Sequence, residues 1–162
     1  MNMKIIGVLA ALATLSLGAC ADKDKDTAGA STGSGANAST AGVTPGSQED
    51  LVANVGDRVF YALDSSSLSG DGRSALDRQA AWMARYPQVS VQLAGNCDER
   101  GTTEYNLALG QRRSNAARDY LVARGVSSAR ITSVSFGKER PTALGSDDQA
   151  YSQNRNATTS VR

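Results

Sequence analysis

The chain of 162 residues contains no histidine, the side chain that most often serves as a general base or a zinc ligand. This absence excludes the usual serine and cysteine triads. Lysines and arginines (17) nearly balance aspartates and glutamates (16), which gives a net charge of +1. Such a balance provides no general attraction to nucleic acid or to acidic surfaces. Partners must therefore be recognised by a defined site, and neither a metal nor an organic cofactor is predicted.

Cysteine is also scarce, because the chain has only Cys20 and Cys97. Two cysteines cannot build a disulfide framework if one of them serves another purpose. Cys97 is followed by Asp98, whose negative charge disfavours a thiolate. We therefore expect Cys97 to be a buried, small apolar residue and not a reactive thiol.

The longest apolar run, residues 5–17, lies at the N-terminus and is too short to span a bilayer comfortably. Lys4 precedes it, and the small residues Gly18 and Ala19 lead directly to Cys20. This order is typical of a bacterial lipoprotein signal. We expect residues 1–19 to be removed and Cys20 to carry acyl chains such as palmitate, which anchor the chain to a membrane. The alternative is a plain secretory signal with an accidental cysteine.

Residues 20–47 consist mostly of Asp, Lys, Ala, Gly, Ser and Thr, with almost nothing to bury. This composition predicts a flexible tether between the lipid anchor and one modest domain over residues 48–162. Ala21 follows Cys20 where an aspartate would favour retention in the inner membrane. By analogy with lipoprotein sorting, the outer membrane is favoured.

Strand and helix patterns alternate along residues 48–162. The expected strands are 58–63, 89–94, 130–136 and 157–161, and the expected helices are 75–86, from Thr102 or Thr103 to 124, and 147–154. Trp82 and Met83 are expected in the core. The order predicts an α+β fold, βαβαβ(α)β, with two main helices packed on one face of a four-stranded mixed sheet. The last strand is unusually polar and resembles a weak edge strand.

The densest polar segment of the chain runs from Gly95 to Arg113. It combines the carboxylate of Asp98, a turn at Gly101 that suits a positive φ, a helix start and paired arginines. An anionic loop facing arginines can hold a ligand that carries both an ammonium and a carboxylate, because each contact is charge-assisted. The segment therefore predicts a zwitterion-binding site.

Several short motifs occur along the chain as a spaced set. They are Asp64 after a short aromatic strand, CDERG at 97–101, EYN at 104–106, Leu109 with Gly110, Arg112 with Arg113, FGKERP at 136–141, and Asn154 with Arg155. From Val59 to the end, the chain resembles the OmpA-like peptidoglycan-binding domain family, and specifically its peptidoglycan-associated lipoproteins.

The resemblance implies noncovalent binding of peptidoglycan through the free end of diaminopimelate. In this family the ammonium pairs with the loop aspartate, here Asp98, and the carboxylate pairs with the second arginine, here Arg113. Further expected contributors are Asp64, Leu63, Thr102, Thr103, Asn106 and Leu109. The alternative is that Asp98 and Arg113 form an internal ion pair that fixes the loop to the helix.

Two positions depart from the family pattern. Asn96 stands where a histidine is usual, and Asn156 replaces the second arginine of an Asn-Arg-Arg triplet. Asparagine still forms hydrogen bonds, but it cannot carry a charge. A cationic contact near the C-terminus is therefore expected to be missing, and binding is expected to be looser.

The resemblance further implies an outer-membrane lipoprotein whose domain faces the periplasm and which acts in the Tol-Pal system in cell division and the cell cycle. TolB is the implied partner, with TolA as a further one. One alternative is a wall-binding lipoprotein outside that system, such as a stress sensor or a virulence anchor. Another is a wall-cleaving glycosidase using Asp98, Glu99 and Glu104, which the neighbouring arginines disfavour because they lower carboxyl pKa values.

Overall fold

A computed structural model describes residues 42–162 of the chain. The signal segment 1–19, the lipidation site Cys20 and most of the tether predicted over 20–47 lie outside the described residues. Within 42–162, none of the helices combines the length and the apolar character that crossing a membrane requires.

Four α-helical segments and four strands make up the described part. The helices are α1 (Gln48–Asp50, continued by one π-helical turn Leu51–Val55), α2 (Gly70–Arg85), α3 (Thr103–Ala123) and α4 (Asp148–Asn154). The strands are β1 (Arg58–Phe60), β2 (Val91–Asn96), β3 (Ile131–Gly137) and β4 (Asn156–Val161), and a short 3-10 turn, Ser128–Arg130, precedes β3. The predicted order of main elements is confirmed, whereas the helical segment before β1 and the 3-10 turn before β3 were not anticipated.

The four strands form one mixed sheet in the order β1-β4-β2-β3. β4 is antiparallel to both of its neighbours, whereas β2 and β3 are parallel. The chain thus crosses from β1 to β2 and from β2 to β3 in the same direction along the sheet. Because such crossovers are right-handed, α2 and α3 lie on the same face. The prediction of two main helices on one face of a mixed sheet is confirmed.

The position of β4 corrects one expectation. β4 lies inside the sheet between β1 and β2, so it is not an edge strand. Its polar residues are tolerated there because they are paired. Thr159 is buried, and its hydroxyl and the side-chain amide oxygen of Gln79 on α2 are hydrogen-bonded at 2.8 Å. The polar composition of β4 therefore does not mean that this strand lies at the edge of the sheet.

The main helices end where their sequences require it. Ser69 caps α2 by accepting a hydrogen bond from the Gly72 amide, and the helix ends just before Pro87. Thr102 caps α3 in the same way, and the chain leaves α3 through Gly125, whose φ is 92°. The two caps fix both starting points, and the second one sets the orientation of the loop that carries the candidate site.

The core lies between the sheet and the helices. Trp82 and Met83 are both buried in it, as predicted. The segment before β1 closes one side of the core through Leu51, which is 1% exposed. Asp50 fixes this segment, because its carboxylate accepts hydrogen bonds from the Trp82 indole at 2.9 Å and from the Gly46 amide at 2.8 Å.

A glycine contact brings α3 onto β2. A side chain at Gly95 would overlap the carbonyl group of Gly110, and a side chain at Gly110 would overlap the hydroxyl of Ser135 on β3. Only glycine at both positions allows the backbones of helix and strand to touch. This contact holds the end of β2 and the start of α3 close together, and the polar loop 97–102 connects them.

Candidate functional site

An open cleft of about 230 Å³ lies beside the loop that joins β2 to α3. Its lining residues are Leu63, Asp64, Cys97, Asp98, Arg100, Gly101, Tyr105, Asn106, Leu109, Arg113 and Arg155. They come from the segment after β1, the loop 97–101, the first half of α3 and the residue before β4. The cleft therefore brings together six of the predicted site residues: Leu63, Asp64, Asp98, Asn106, Leu109 and Arg113.

Asp98 is the central anion of this cleft and is 5% exposed. Its Oδ1 accepts hydrogen bonds from the backbone N–H and the Nε–H of Arg100, both at 3.2 Å. Its Oδ2 accepts from Nη2 of Arg100 at 2.6 Å and from Nη1 of Arg155 at 3.3 Å. Burial opposes ionisation of Asp98, but the hydrogen bonds from Arg100 and Arg155 outweigh it and lower its pKa below the usual value.

Arg113 lies at the bottom of the cleft and is completely buried. Its Nε donates to the Ser65 carbonyl at 2.8 Å and its Nη2 to the Ala62 carbonyl at 3.0 Å. Its Nη1 donates to the Asn96 carbonyl at 2.8 Å and to Sγ of Cys97 at 3.4 Å. These acceptors take four of the five N–H donors of the guanidinium. Burial also lowers the pKa of Arg113.

This arrangement corrects the alternative in which Asp98 and Arg113 form an internal ion pair. Within residues 42–162, the ion pairs of Asp98 are those with Arg100 and Arg155. Arg113 instead ties the segment after β1 to the end of β2 through backbone carbonyls. The hydrogen bonds within residues 42–162 leave one N–H of Nη2 without an acceptor, and Arg113 lines the bottom of the cleft.

The rim of the cleft combines an apolar wall with a second carboxylate. Leu63 is 59% exposed and lies at the mouth, whereas Leu109 is buried deeper. Asp64 has a φ of 52°, which is unusual for a residue other than glycine. The Tyr105 hydroxyl donates a hydrogen bond to Oδ1 of Asp64. Tyr105 therefore edges the site instead of packing beneath the loop, two alternatives that its sequence position left open.

Two predicted contributors, Thr102 and Thr103, do not line the cleft. The hydroxyl of Thr102 accepts a hydrogen bond from the Tyr105 amide at 3.2 Å and caps α3. Asn106 does line the cleft, but its side-chain amide also donates to the carbonyls of Arg100 at 2.7 Å and Thr102 at 3.1 Å. Thr102 and Asn106 thus determine the shape of the loop, and Gly101, with a φ of 86°, makes the turn that was predicted for it.

Lys138 holds the same loop from the opposite side. Its ammonium group donates to the carbonyls of Glu99 at 3.3 Å and Gly101 at 2.8 Å. Lys138 belongs to the FGKERP segment, which sequence analysis noted as a motif without a role. This contact gives the motif a structural role, because it fixes the backbone of the loop that carries Asp98.

Cys97 is 3% exposed, and its thiol donates to the Asn106 carbonyl at 3.3 Å. Burial raises the pKa of this thiol, and the nearby charge of Arg113 only partly opposes the effect. The expectation of a buried, unreactive cysteine agrees with this environment. Among the described residues, no group of three or more Cys, Asp or Glu side chains could hold a metal ion.

Sequence reasoning did not assign Arg100 or Arg155 to the site. Arg100 was expected to be a surface partner within the loop, yet its guanidinium lies against Asp98. Arg155 comes from the far end of the chain and was noted in the sequence only as part of the family motif that it forms with Asn154. The pairing of β4 with β1 brings Arg155 to the cleft, and this pairing connects residues that are distant in sequence.

The fold and the site define a class of protein. The OmpA family model matches residues 60–155, which span the chain from β1 to the start of β4. The C-terminal domain of Helicobacter pylori MotB has a similar fold, with a TM-score of 0.60 at 18% identity over 64% of this chain and 81% of that chain. This second similarity concerns the fold alone.

More similar proteins narrow the class. The peptidoglycan-associated lipoprotein of Rhizobium meliloti (strain 1021) is 49% identical over 94% of this chain and 85% of its own length. That of Haemophilus influenzae is 38% identical over 97% of both chains. The crystal structure of the Burkholderia pseudomallei peptidoglycan-associated lipoprotein superimposes with a TM-score of 0.63 at 42% identity, over 65% of this chain and 90% of that chain. The chain belongs to the peptidoglycan-associated lipoproteins of the OmpA family.

Proposed function

We propose that this chain is a lipoprotein that binds peptidoglycan noncovalently and tethers the outer membrane to the cell wall. The observation that carries the proposal is the cleft itself, which combines the carboxylate of Asp98, the guanidinium groups of Arg100, Arg113 and Arg155, and an apolar wall. Such a cleft suits a flexible ligand that ends in an ammonium and a carboxylate joined to methylene groups. The free end of diaminopimelate in a peptidoglycan stem peptide has this chemistry.

Each part of the ligand has a matching group in the cleft. The ammonium pairs with Asp98, which stays ionised at neutral pH because its pKa is lowered. The carboxylate pairs with the remaining N–H of Arg113 and with the positive charge of Arg155, whose side chain is 16% exposed. The methylene groups lie on Leu63 and Leu109, which line the cleft. Asp64 also contributes to ligand binding, at the mouth of the cleft.

The remaining predicted contributors act through the backbone. Asn106 braces the loop by two hydrogen bonds to its carbonyls. Thr102 caps the helix that carries Asn106, Leu109 and Arg113, and Thr103 begins that helix. In this proposal the two threonines position the site without touching the ligand.

A binding role is favoured over wall cleavage. A glycosidase requires one carboxylic acid with a raised pKa. In this cleft the pKa of Asp98 is lowered by hydrogen bonds from Arg100 and Arg155. The pKa of Glu99 is lowered as well, first by a hydrogen bond with Ser146 and then by one with Tyr151. Both carboxyl groups are therefore poor general acids near neutral pH, which supports a binding module without catalysis.

Co-sedimentation with purified sacculi tests the site. A soluble chain of residues 21–162 is compared with Asp98→Asn, which keeps the shape of the side chain but removes its charge. Asp119→Asn is the matched control, because Asp119 is an exposed residue that pairs with Arg118 on the outer side of α3. We expect the unsubstituted chain and the control to pellet and Asp98→Asn to lose at least about tenfold in affinity. Equal pelleting of Asp98→Asn would disprove the site, and failure of the unsubstituted chain to pellet would disprove wall binding.

The anchor and the partners are separate parts of the proposal. Lipidation of Cys20, after removal of residues 1–19, would hold the chain in the outer membrane, and residues 20–47 would let the domain reach the wall. We expect Cys20→Ala to be missing from the outer-membrane fraction. Participation in the Tol-Pal system predicts that TolB, and TolA with it, is recovered with the tagged chain from solubilised envelopes. Recovery of the chain without TolB would favour a wall-binding lipoprotein outside that system.

A further inference from the structure

The side chain of Arg100 occupies the place where the proposed ligand needs to bind. We propose that Arg100 is an internal competitor: its guanidinium fills the ammonium subsite of the cleft and must move away before a ligand can pair with Asp98. This inference rests on the proposed function, because it concerns how the same site is opened. It assigns a regulatory part to a residue that otherwise looks like a loop-surface arginine.

The carboxylate of Asp98 has no vacant acceptor position. A carboxylate offers about four lone-pair positions. Oδ1 accepts two hydrogen bonds, both from Arg100, and Oδ2 accepts one from Arg100 and one from Arg155. A ligand ammonium therefore cannot add to this arrangement. It must replace a donor that is already present.

Of the three groups that donate to Asp98, the Arg100 side chain is the one that can leave. The backbone N–H of Arg100 is fixed, because the Arg100 carbonyl is held by Asn106 and Lys138 holds the carbonyls on either side. The guanidinium of Arg155 is mostly buried and also donates to the Tyr61 carbonyl at 3.2 Å. The side chain of Arg100, in contrast, is 41% exposed. Only Arg100 can move into water without leaving buried backbone acceptors unpaired.

Contacts with Asp98 and Tyr151 hold the Arg100 side chain in place. Its guanidinium forms two hydrogen bonds to Asp98 and lies 4.4 Å from the centre of the Tyr151 ring. The Tyr151 hydroxyl donates to Glu99 at 2.9 Å, which fixes the ring from the other side. A paired and stacked arginine resists displacement more than a solvated one does. The ligand must therefore compete with this arrangement, and its apparent affinity is reduced accordingly.

Calorimetric titration of the soluble chain, residues 21–162, with a purified diaminopimelate-containing muropeptide tests the competition. Arg100→Ala removes the competitor while the loop keeps its backbone contacts, so we expect about tenfold tighter binding, equivalent to about 1.4 kcal/mol. Arg100→Lys keeps the charge without the planar pair of donors, and we expect an affinity between the two. Arg85→Ala is the control, because it removes one positive charge from the end of α2, outside the cleft.

A second measurement follows the displacement itself in the unsubstituted chain. We expect the Nε–H resonance of Arg100 to move towards the position of a solvated arginine at saturating muropeptide. The side-chain amide of Asn106 donates to the loop carbonyls of Arg100 and Thr102, and its resonances should stay in place. This readout separates displacement from a general loosening of the loop, which would move the resonances of both residues.

Each result of these two measurements either supports or overturns the role of Arg100 as a competitor. Tighter binding by Arg100→Ala together with a moving Arg100 resonance supports the competitor, and so does binding by Arg100→Ala alone when the unsubstituted chain does not bind. Unchanged or weaker binding by Arg100→Ala, with normal binding by the unsubstituted chain, overturns the competitor and leaves the proposed function intact. Absence of binding by every variant overturns the proposed function and the competitor with it.

Discussion

The side-chain amide of Asn96 donates a hydrogen bond of 2.8 Å to Oδ1 of Asn156. These are the two positions at which the sequence departs from its family pattern, and they lie at the ends of neighbouring strands, β2 and β4. Both side chains are buried. The two departures are therefore one structural feature: the amides form a neutral pair where a histidine and an arginine are usual. Neither asparagine lines the cleft, and looser ligand binding stays a prediction.

This contact predicts that substitutions at the two positions are energetically coupled. Asn96→Ala removes the buried amide donor of Asn156 and leaves its Oδ1 with the Thr158 hydroxyl alone, so it should reduce the free energy of unfolding by about 1–3 kcal/mol. Asn156→Ala should act similarly, because it also removes hydrogen bonds to Gln153 and Thr142. The double variant should lose less than the sum by at least about 0.5 kcal/mol. Urea unfolding of the four proteins measures the coupling, and strict additivity would contradict it.

The glycine contact between α3 and β2 predicts a large effect from one methyl group. In Gly110→Ala the new Cβ would overlap the Ser135 hydroxyl and lie 2.8 Å from the Gly95 carbonyl oxygen. We expect a loss of about 3 kcal/mol in the free energy of unfolding, because the helix must move off the strand.

Gly70→Ala is the matched control for this substitution. Gly70 is the first residue of α2, and a Cβ there meets no other atom within 4 Å. Its effect should stay within about 0.5 kcal/mol. Helix propensity favours alanine over glycine in both variants, so a loss confined to Gly110→Ala in urea unfolding reports the backbone contact, and equal effects in the two variants would contradict it.

The lowered pKa of Asp98 predicts the direction of acid sensitivity. A carboxyl group whose pKa is lower in the folded state contributes stability above its unfolded pKa, about 3.9, and that contribution is lost as the pH falls through the folded pKa. The free energy of unfolding of the unsubstituted chain should thus fall more steeply below about pH 4 than that of Asp98→Asn. Parallel acid profiles would show that Asp98 is not held by Arg100 and Arg155 in solution.

The buried thiol of Cys97 predicts slow alkylation. Burial raises the pKa of the thiol and blocks access to it, so iodoacetamide at pH 8 should label the folded domain at least about tenfold more slowly than the urea-unfolded chain. The soluble chain of residues 21–162 lacks Cys20, and Cys97 is then its only cysteine. Mass spectrometry follows the label. Equal rates in the two states would mean that the end of β2 opens readily.

Local patterns predicted much of the fold. The start of α3 followed from the capping threonine and its end from Gly125, and the end of α2 followed from Pro87. These signals act within a few residues, through hydrogen bonds and backbone sterics that the sequence displays directly. The helical segment before β1 was missed because it is short, and its stability comes from the contact of Asp50 with Trp82, which is remote in sequence.

The candidate site was predicted in part for the same reason. Asp98, Asn106 and Leu109 lie in one short segment, so loop and helix geometry bring them together without help from the rest of the chain. Arg113 lies in the same segment, yet its burial against the carbonyls of Ala62 and Ser65 depends on how the segment after β1 packs. The contact of Arg155 with Asp98 depends on the position of β4.

The sequence by itself determined the alternation of strands and helices, the start of α3, the C-terminal ends of α2 and α3 and the polar loop that carries Asp98, because each depends on residues close together in the chain. Only the tertiary structure decided that β4 lies inside the sheet, that Arg155 reaches the cleft and that Arg100 occupies the acceptor positions of Asp98. Strand order and charge pairing depend on contacts between distant segments, whose energies are set by packing and burial and not by local pattern.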